Sequence, residues 1–578
     1  MTIFDASNAD EGFFFTGTTM PADAIDFASQ VTANATTYSW LTSTGHLVTA
    51  TGNFTYPGGN VAGTVTSLAI DLSNDADSDI AITGAANIDI ALLLAGNDSF
   101  WEALFSGADT FIAAPSVDQR FSGDANDDSA ISGGADSFTF NFVNGGGDFY
   151  GDQWDTLGGI AVPGGNDTFT VNGSIAVAGT GFNGDTSTVN PGEAYAGGDD
   201  TFTVNITGLN IEINCDATSV YDQFTGGSDT VTILGGGVSV FGDADAVDSA
   251  AAFIGGNDTI VNGLLVYGDC GNYYGGIFTG GSDVLSGTSS VHGDMLAIAG
   301  ALSAGDSVQC GDDNINASDD SALLYGDMAT IAGDVSLASV IFGNDTITGG
   351  ILGDTIYGDY QSDTSGTLDP AAGGNDVIFA GGGADQIHGN GGDDIIDPGT
   401  GDDTVVDGGE GRDTISYASL AVGVTVNLGS QGVGQNTIGG GIDTLTNFEN
   451  ILGGSGNDTL TGDDGADNVI TGGLGDDVLT GGTNLAEGDT ASYAGNVAVT
   501  VSLALQGGQQ DTLGAGLDTL NGFENLSGSD QGDTLTGNGS ANTLSGGGGG
   551  DILSGAGGAD TIHGGEGADD IKIGRAHV

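Results

Sequence analysis

The chain has 578 residues, 110 of them Gly and only 7 Pro, and sets 79 acidic residues against 4 basic ones for a formal charge of −75. Nine of the acids are Glu and 70 are Asp, so the charge is carried by the shorter carboxylate side chain. Nucleic acid and anionic membrane surfaces are excluded as direct partners, because there is no basic patch to meet phosphate.

Residues 1–83 are the least repetitive. Strand-like alternation in TGNFTY and GTVTSLAIDL is broken by turn signals at Pro57-Gly58-Gly59 and Asn74-Asp75. A small N-terminal β domain, or a cap over the end of a stacked structure, is expected here. The opening MTIFDASNADEGFFF has neither Lys nor Arg and no long apolar stretch, so it does not read as a cleavable signal peptide. The longest strongly apolar run, Ile90 to Ala95, is too short to span a bilayer.

From 84 to 370 a loose repeat takes over, in which Gly-Gly-(Asn/Ser/Ala)-Asp precedes a Thr, Ser or Val and then an apolar residue. Its aspartates, Asp136, Asp167, Asp200, Asp229, Asp258, Asp283, Asp313 and Asp345, lead to Asp376 in steps of 25–33 residues. A second Gly-Asp turn recurs at Asp243, Asp269, Asp294, Asp327 and Asp359. The pattern predicts a long-period β-solenoid whose coils are two turns enlarged by loops, meeting the stricter repeat at Asp376 without a break. Whether these long coils hold cations is left open by the sequence.

Residues 371–417 read in nines as AAGGNDVIF, AGGGADQIH, GNGGDDIID, PGTGDDTVV and, after the extra Asp407, GGEGRDTIS. The unit is Gly-Gly-x-Gly-x-Asp-x-U-x, with Asp376, Asp385, Asp394, Asp403 and Asp413 each followed two places later by an aliphatic residue: Ile378, Ile387, Ile396, Val405 and Ile415. Glycines permit a tight turn with inward carbonyls. The last three residues make a minimal strand with its aliphatic side chain on one face. Such a strand buries nothing alone, so copies must stack into parallel strands with an apolar column and flanking ladders of Asp. Carboxylate and carbonyl oxygens then surround common points, the all-oxygen donor set that hard Ca²⁺ prefers. The aspartate phase predicts ligands at Asp376, Asp385, Asp394, Asp403 and Asp413. It adds Asp458, Asp467 and Asp477 in a second block (453–490), and Asp533, Asp551, Asp560 and Asp569 in a third (528–571). Asp397, in the ninth position, is expected to point outward and matter less.

Two related spacers, 418–452 and 491–527, separate the blocks, and each is expected to insert two or three longer strands. Their Phe448-Glu449 and Phe523-Glu524 pairs read as a buried Phe beside a turn-stabilising Glu rather than as a catalytic carboxylate.

These phased units resemble the haemolysin-type (RTX) calcium-binding nonapeptide repeat, strictly over 370–571 and loosely over 84–370. The resemblance implies an all-β chain built as a parallel β-roll or β-solenoid, with calcium as cofactor. It also implies export through a type I channel of a Gram-negative cell to an extracellular or cell-surface location. Extracellular calcium sites bind at about 10⁻⁴ to 10⁻³ M. Millimolar calcium then contributes roughly 0.4–1.4 kcal/mol per site by mass action.

Motifs for chemistry are missing: there is no Gly-x-Ser-x-Gly elbow and no His-Glu-x-x-His. The single lysine, Lys572, rules out a P-loop or kinase constellation. His388 and His563 occupy ninth positions of the repeat, and the three cysteines, Cys215, Cys270 and Cys310, match no zinc spacing and read as core residues. The expected function is a non-catalytic, secreted calcium-binding protein in surface adhesion, matrix or surface-layer roles, with surface glycans or its own copies as partners. The alternative is the repeat portion of a polysaccharide-active or hydrolytic enzyme. Residues 572–578, KIGRAHV, carry two of the four basic residues and break the repeat. They are expected to be foreign to the natural chain.

Overall fold

The computed structural model describes residues 135–573 except 136, 152–161, 176–179, 190–193, 209–210, 249–251, 318–320, 337, 370, 466, 484–487 and 496, with backbone alone at 141–148, 162–163 and 187. Ahead of these it describes the backbone of Thr2–Ala6, Ser29–Ala33, Thr37–Leu41, Leu47–Thr55, Ala62–Asp71, Ile80–Asp89, Asp109–Ala113 and Asp118–Ser122. Residues 574–578 of the expected foreign tail lie outside the described residues; Lys572 closes the strand Asp570–Lys572. The described secondary structure is all-β apart from two single 3-10 turns. The chain divides into two compact units, one of Met1–Ile315 with Asp327–Ile341 and Gln361–Leu368, the other of Asn316–Gly326, Phe342–Tyr360 and Asp369–Val578.

In the first unit the early strands pair antiparallel in sequence, Ser29–Ala33 to Thr37–Leu41 to Leu47–Thr55 to Ala62–Asp71 to Ile80–Asp89, which in turn pairs with Thr2–Ala6. Thereafter every described pairing in this unit is parallel. One thirty-residue repeat makes one coil of four strands, for example Thr201–Gly208, Ile211–Asn214, Ala217–Val220 and Gln223–Thr225. The residues expected to form loops therefore form extra strands. The apolar positions decide this, because alternation in TFTVNI buries Phe202, Val204 and Ile206 on one face. Register stacks like on like: Phe169 on Phe202 with centroids 4.5 Å apart, and Phe224 on Phe253 at 5.3 Å and Phe253 on Phe278 at 5.2 Å. Each fully buried Phe stabilises the stack by about 1.5–3 kcal/mol. Cys215, Cys270 and Cys310 are buried and unpaired, as core residues.

The second unit winds more tightly, at two nonapeptides per coil. One parallel sheet runs through Val377–Phe379, Ile395–Asp397, Thr414–Ser416, Asn450–Leu452 and Val469–Thr471. It places Ile378, Ile396, Ile415, Ile451 and Ile470 in one column. The alternate nonapeptides build the other face, with Ile387, Val406 and Leu445 in register. The fourth repeat corrects the expected phase: Val406, not Val405, enters the column. The extra residue is taken up between Asp403 and the strand, since burying Val406 keeps the column filled.

The first spacer carries no strand longer than three residues, and the second carries one, the five-residue Leu517–Asn521, where two or three were expected. Each makes a three-residue strand, a 3-10 turn (Leu428–Ser430 or Leu503–Leu505) and a short antiparallel ribbon that returns the chain to the stack. Asn427 and Ser502 cap those turns through their side-chain oxygens.

Candidate metal centre

Each nonapeptide turn fixes its aspartate from the coil before it. The Asp376 amide donates to Oδ1 of Asp394 at 2.8 Å, and the Asp394 amide to Oδ1 of Asp413 at 2.9 Å. The alternate turns repeat this, with Asp385 donating to Asp403 at 2.8 Å. Later coils match, with Asp458 donating to Asp477 and Asp533 to Asp551, both at 2.8 Å. One carboxylate oxygen is thus held by backbone. The other, Oδ2 of Asp385, Asp394, Asp403, Asp413, Asp477 and Asp551, is buried with no hydrogen-bond donor.

The unit's first glycine explains where that second oxygen goes. At Gly389 a Cβ would stand 2.1 Å from Asp394 Oδ2 and 2.3 Å from the carbonyl oxygen of Gly408. At Gly546 the same point lies 2.2 Å from Asp551 Oδ2 and 2.4 Å from Gly564 O. A carboxylate oxygen and a carbonyl oxygen from neighbouring turns therefore converge where only glycine leaves room. Gly392, at φ +103°, holds the backbone in the region that glycine alone adopts freely.

Burial pushes these carboxyls up, Asp394 to about 8, Asp403, Asp413 and Asp477 to about 7, and Asp385 to about 6. The next carboxylate in each ladder adds repulsion. Without a cation the folded ladder resists its own ionisation. A hard divalent ion surrounded by oxygen supplies the missing charge and fills the unmet acceptors, so the donor set fits Ca²⁺.

Of the expected ligands, Asp376, Asp385, Asp394, Asp403, Asp413, Asp458, Asp477, Asp533 and Asp551 stand in these ladders. Asp560 and Asp569 accept the amides of Asn542 and Asp551, each at 3.1 Å, in the last described coils. Asp467 does not stand in line. Asn468 occupies the ladder position, donating its amide to Asp489 Oδ1 at 2.8 Å, because burying Ile470 in this ten-residue unit shifts the phase by one. Asp397 also departs from expectation. It is 2 % exposed and accepts the amide of Ser419 at 3.1 Å and its hydroxyl at 3.0 Å.

Several ladder members were not read from the sequence. Glu449 accepts the Asp413 amide at 2.9 Å and Glu524 the Asp489 amide at 3.2 Å, so each Phe-Glu pair continues an aspartate ladder with Phe448 or Phe523 buried beside it. Asp443 and Asp518 continue the other ladder, accepting the amides of Asp403 and Asp477 at 3.4 and 3.1 Å. Their second oxygens take donors, as those of Asp458 and Asp533 do from the Gly454 and Ser529 amides: Asp443 Oδ2 accepts the Tyr417 hydroxyl at 2.8 Å and the Thr437 hydroxyl at 2.9 Å. Tyr493 and Thr512 repeat this on Asp518 at 3.2 and 3.1 Å. The Gly-x-Asp-Thr-Leu core shared by both spacers was the available signal.

The family model of the RTX calcium-binding nonapeptide repeat (4 copies) matches residues 371–405, 447–469, 452–484, 518–553 and 545–572. The C-terminal region is an array of RTX calcium-binding repeats. No curated protein matches the chain. Asp413, Asp443 and Asp489 fall between the matched segments, yet they stand in the same ladders, so the ladders continue across the gaps between those segments.

Proposed function

We propose that this calcium-binding chain is a secreted protein that folds on calcium outside the cell and serves there as a non-catalytic scaffold in surface adhesion, a matrix or a surface layer. The observation that carries the reading is the row of buried carboxylate oxygens without donors, in a chain of net charge −75. In a calcium-poor cytosol those oxygens repel, and unfolding relieves them. At millimolar calcium outside, the same oxygens become ligands, so binding and folding are one event. Among the described residues no helix is long and apolar enough to cross a membrane. Surface glycans or further copies of the chain are the partners this role calls for.

Far-ultraviolet circular dichroism tests the reading directly. The chain in chelator should be mostly coil and should gain β structure when millimolar calcium is added, with magnesium a poor substitute because it requires a tighter octahedron. Equal β content in both states would defeat it.

One observation favours the alternative of a polysaccharide-active or hydrolytic enzyme. A polar cavity of about 440 Å³ is lined by Tyr360, His388, Asp407, Glu410 and Glu449, among others. His388 Nδ1 lies 4.0 Å from an Asp407 oxygen. Against it, Glu449 is committed to the Asp413 amide. Turnover of a glycan or ester panel by the purified chain, abolished in His388→Ala, would favour the enzyme over the scaffold.

A further inference from the structure

The long-period coils carry buried carboxylates of their own, far in sequence from the RTX repeats. Oxygens of Asp229, Asp243 and Asp258 lie within 4.8 Å of one another, and so do those of Asp200, Asp216 and Asp229. Acidic residues often cluster without binding anything, so the cluster alone decides nothing. The second observation is how each side chain is held. The Asp200 amide donates to Asp229 Oδ1 at 2.5 Å and the Asp229 amide to Asp258 Oδ1 at 2.7 Å. Gly227 donates to Asp216 Oδ2 at 2.7 Å and Gly256 to Asp243 Oδ2 at 2.9 Å. The remaining oxygens, Asp216 Oδ1, Asp229 Oδ2, Asp243 Oδ1 and Asp258 Oδ2, are buried and receive no donor. These four side chains are at most 1 % exposed.

The backbone contributes as well. A Cβ at Gly242 would stand 2.0 Å from Asp258 Oδ2 and 1.6 Å from the carbonyl oxygen of Gly268, so carbonyl and carboxylate oxygens converge beside a glycine here too. The chain offers no cation of its own nearby in sequence, for there is no Lys or Arg between Arg120 and Arg412. Three carboxylates gathered in a buried site stay ionised only with a partner charge.

We propose that the long-period coils bind divalent cations of the calcium class in a buried file, with one ion held by Asp229, Asp243 and Asp258, a second by Asp200, Asp216 and Asp229, and Asp229 bridging the two. An all-oxygen set with three carboxylates selects calcium over softer metals. The shared ligand couples the sites, so that emptying one weakens the next. The RTX ladders differ: there turns such as those of Asp394 and Asp551 present one carboxylate oxygen without a donor beside a carbonyl, whereas here three carboxylates meet at one place.

Calcium counting on the full chain tests this, after refolding in calcium and removal of free ion, by native mass spectrometry. Asp229→Asn should bind two ions fewer than wild type and Asp243→Asn one fewer. An unchanged count in both variants overturns the proposal. Asp394→Asn, taken through the same count, reports on the RTX repeats alone. Loss there without loss in Asp229→Asn and Asp243→Asn sinks the proposal and leaves the calcium reading of the RTX region standing. If Asp229→Asn does not fold, hydrogen exchange of the wild-type chain decides. Peptides from 197–258 should gain protection only as calcium is added, and full protection in chelator would refute the file of ions.

Discussion

Replacing Asp394 by Asn separates the two roles of a ladder carboxylate. The amide oxygen can still accept from the Asp376 amide, now 2.8 Å from Oδ1, so the backbone link survives. What is lost is the charge and the second oxygen. Burial, with Asp413 and Asp393 adding repulsion, holds the Asp394 carboxyl at about 8, against about 3.9 in an unfolded chain. A carboxyl raised in the folded state leaves its stability intact below the unfolded value and loses it as pH rises through the folded one. The metal-free fold should therefore weaken between about pH 4 and pH 8. At about 1.4 kcal/mol per pH unit, the cost reaches at most about 4 kcal/mol near neutral pH. Asn avoids it. In calcium, the variant forfeits a ligand, and the stabilisation gained from calcium should shrink by roughly 0.4–1.4 kcal/mol for the site it leaves. Urea unfolding, read by circular dichroism over a range of free calcium and pH with an osmolyte holding the low-calcium end folded, measures both quantities. The variant should exceed wild type in chelator near pH 7 and match it near pH 4. A variant equally destabilised with and without calcium, or one whose low-calcium advantage ignores pH, would show that the ladder carboxylates are structural acceptors only.

Asn468→Ala should cost about 2–3 kcal/mol in urea unfolding, because its side-chain amide donates to Glu449 O at 2.7 Å in a buried site. Asp467→Ala should cost less than about 1 kcal/mol, and the opposite ranking would restore the phase counted from the sequence. Gly389→Ala should weaken calcium binding and destabilise the fold by more than about 2 kcal/mol, since its Cβ would meet two inward oxygens; an unchanged calcium titration would remove the convergence at Gly389 from the site. Tyr417→Phe should cost about 1.5–3 kcal/mol by taking the 2.8 Å donor from buried Asp443, and a loss under about 0.5 kcal/mol would show that Thr437 suffices.

The nine-residue period was plain in the sequence because two independent signals, glycine turns and an aliphatic residue two places after each Asp, keep the same phase. That period gave the parallel stacking, the apolar column from Ile378 to Ile470 and most of the ladder. Where the unit is longer than nine, counting fails, since the structure keeps the apolar column filled and lets the turn absorb the excess. Val406 and Asn468 are the two results. In and just ahead of the spacers the glycine pattern thins, so Asp443 and Glu449 in the first, and Asp489 at the edge of the second, were hidden although each accepts or donates in register. Asp397 was misread because alternation along a three-residue strand says which face a side chain leaves from, not that Ser419 waits there to receive it. The three-carboxylate groups of the long coils depend on turns 13–29 residues apart meeting, which spacing alone does not reveal.

The links from one ladder aspartate to the next run one way, each N–H reaching forward as Asp376 does to Asp394, while other amides, Gly374 to Asp359 and Arg412 to Asp393 among them, reach back. Loss is therefore asymmetric. Removing a coil on the C-terminal side strands a buried N–H, which no cation can satisfy. Removing one on the N-terminal side strands a ladder carboxylate oxygen, which water or a metal ion readily serves, along with strand amides such as that of Ile395, which donates back to Asp376 O at 2.8 Å. The two faces of any break therefore differ in chemistry, and only the one that presents freed carboxylate oxygens can be dressed by a cation.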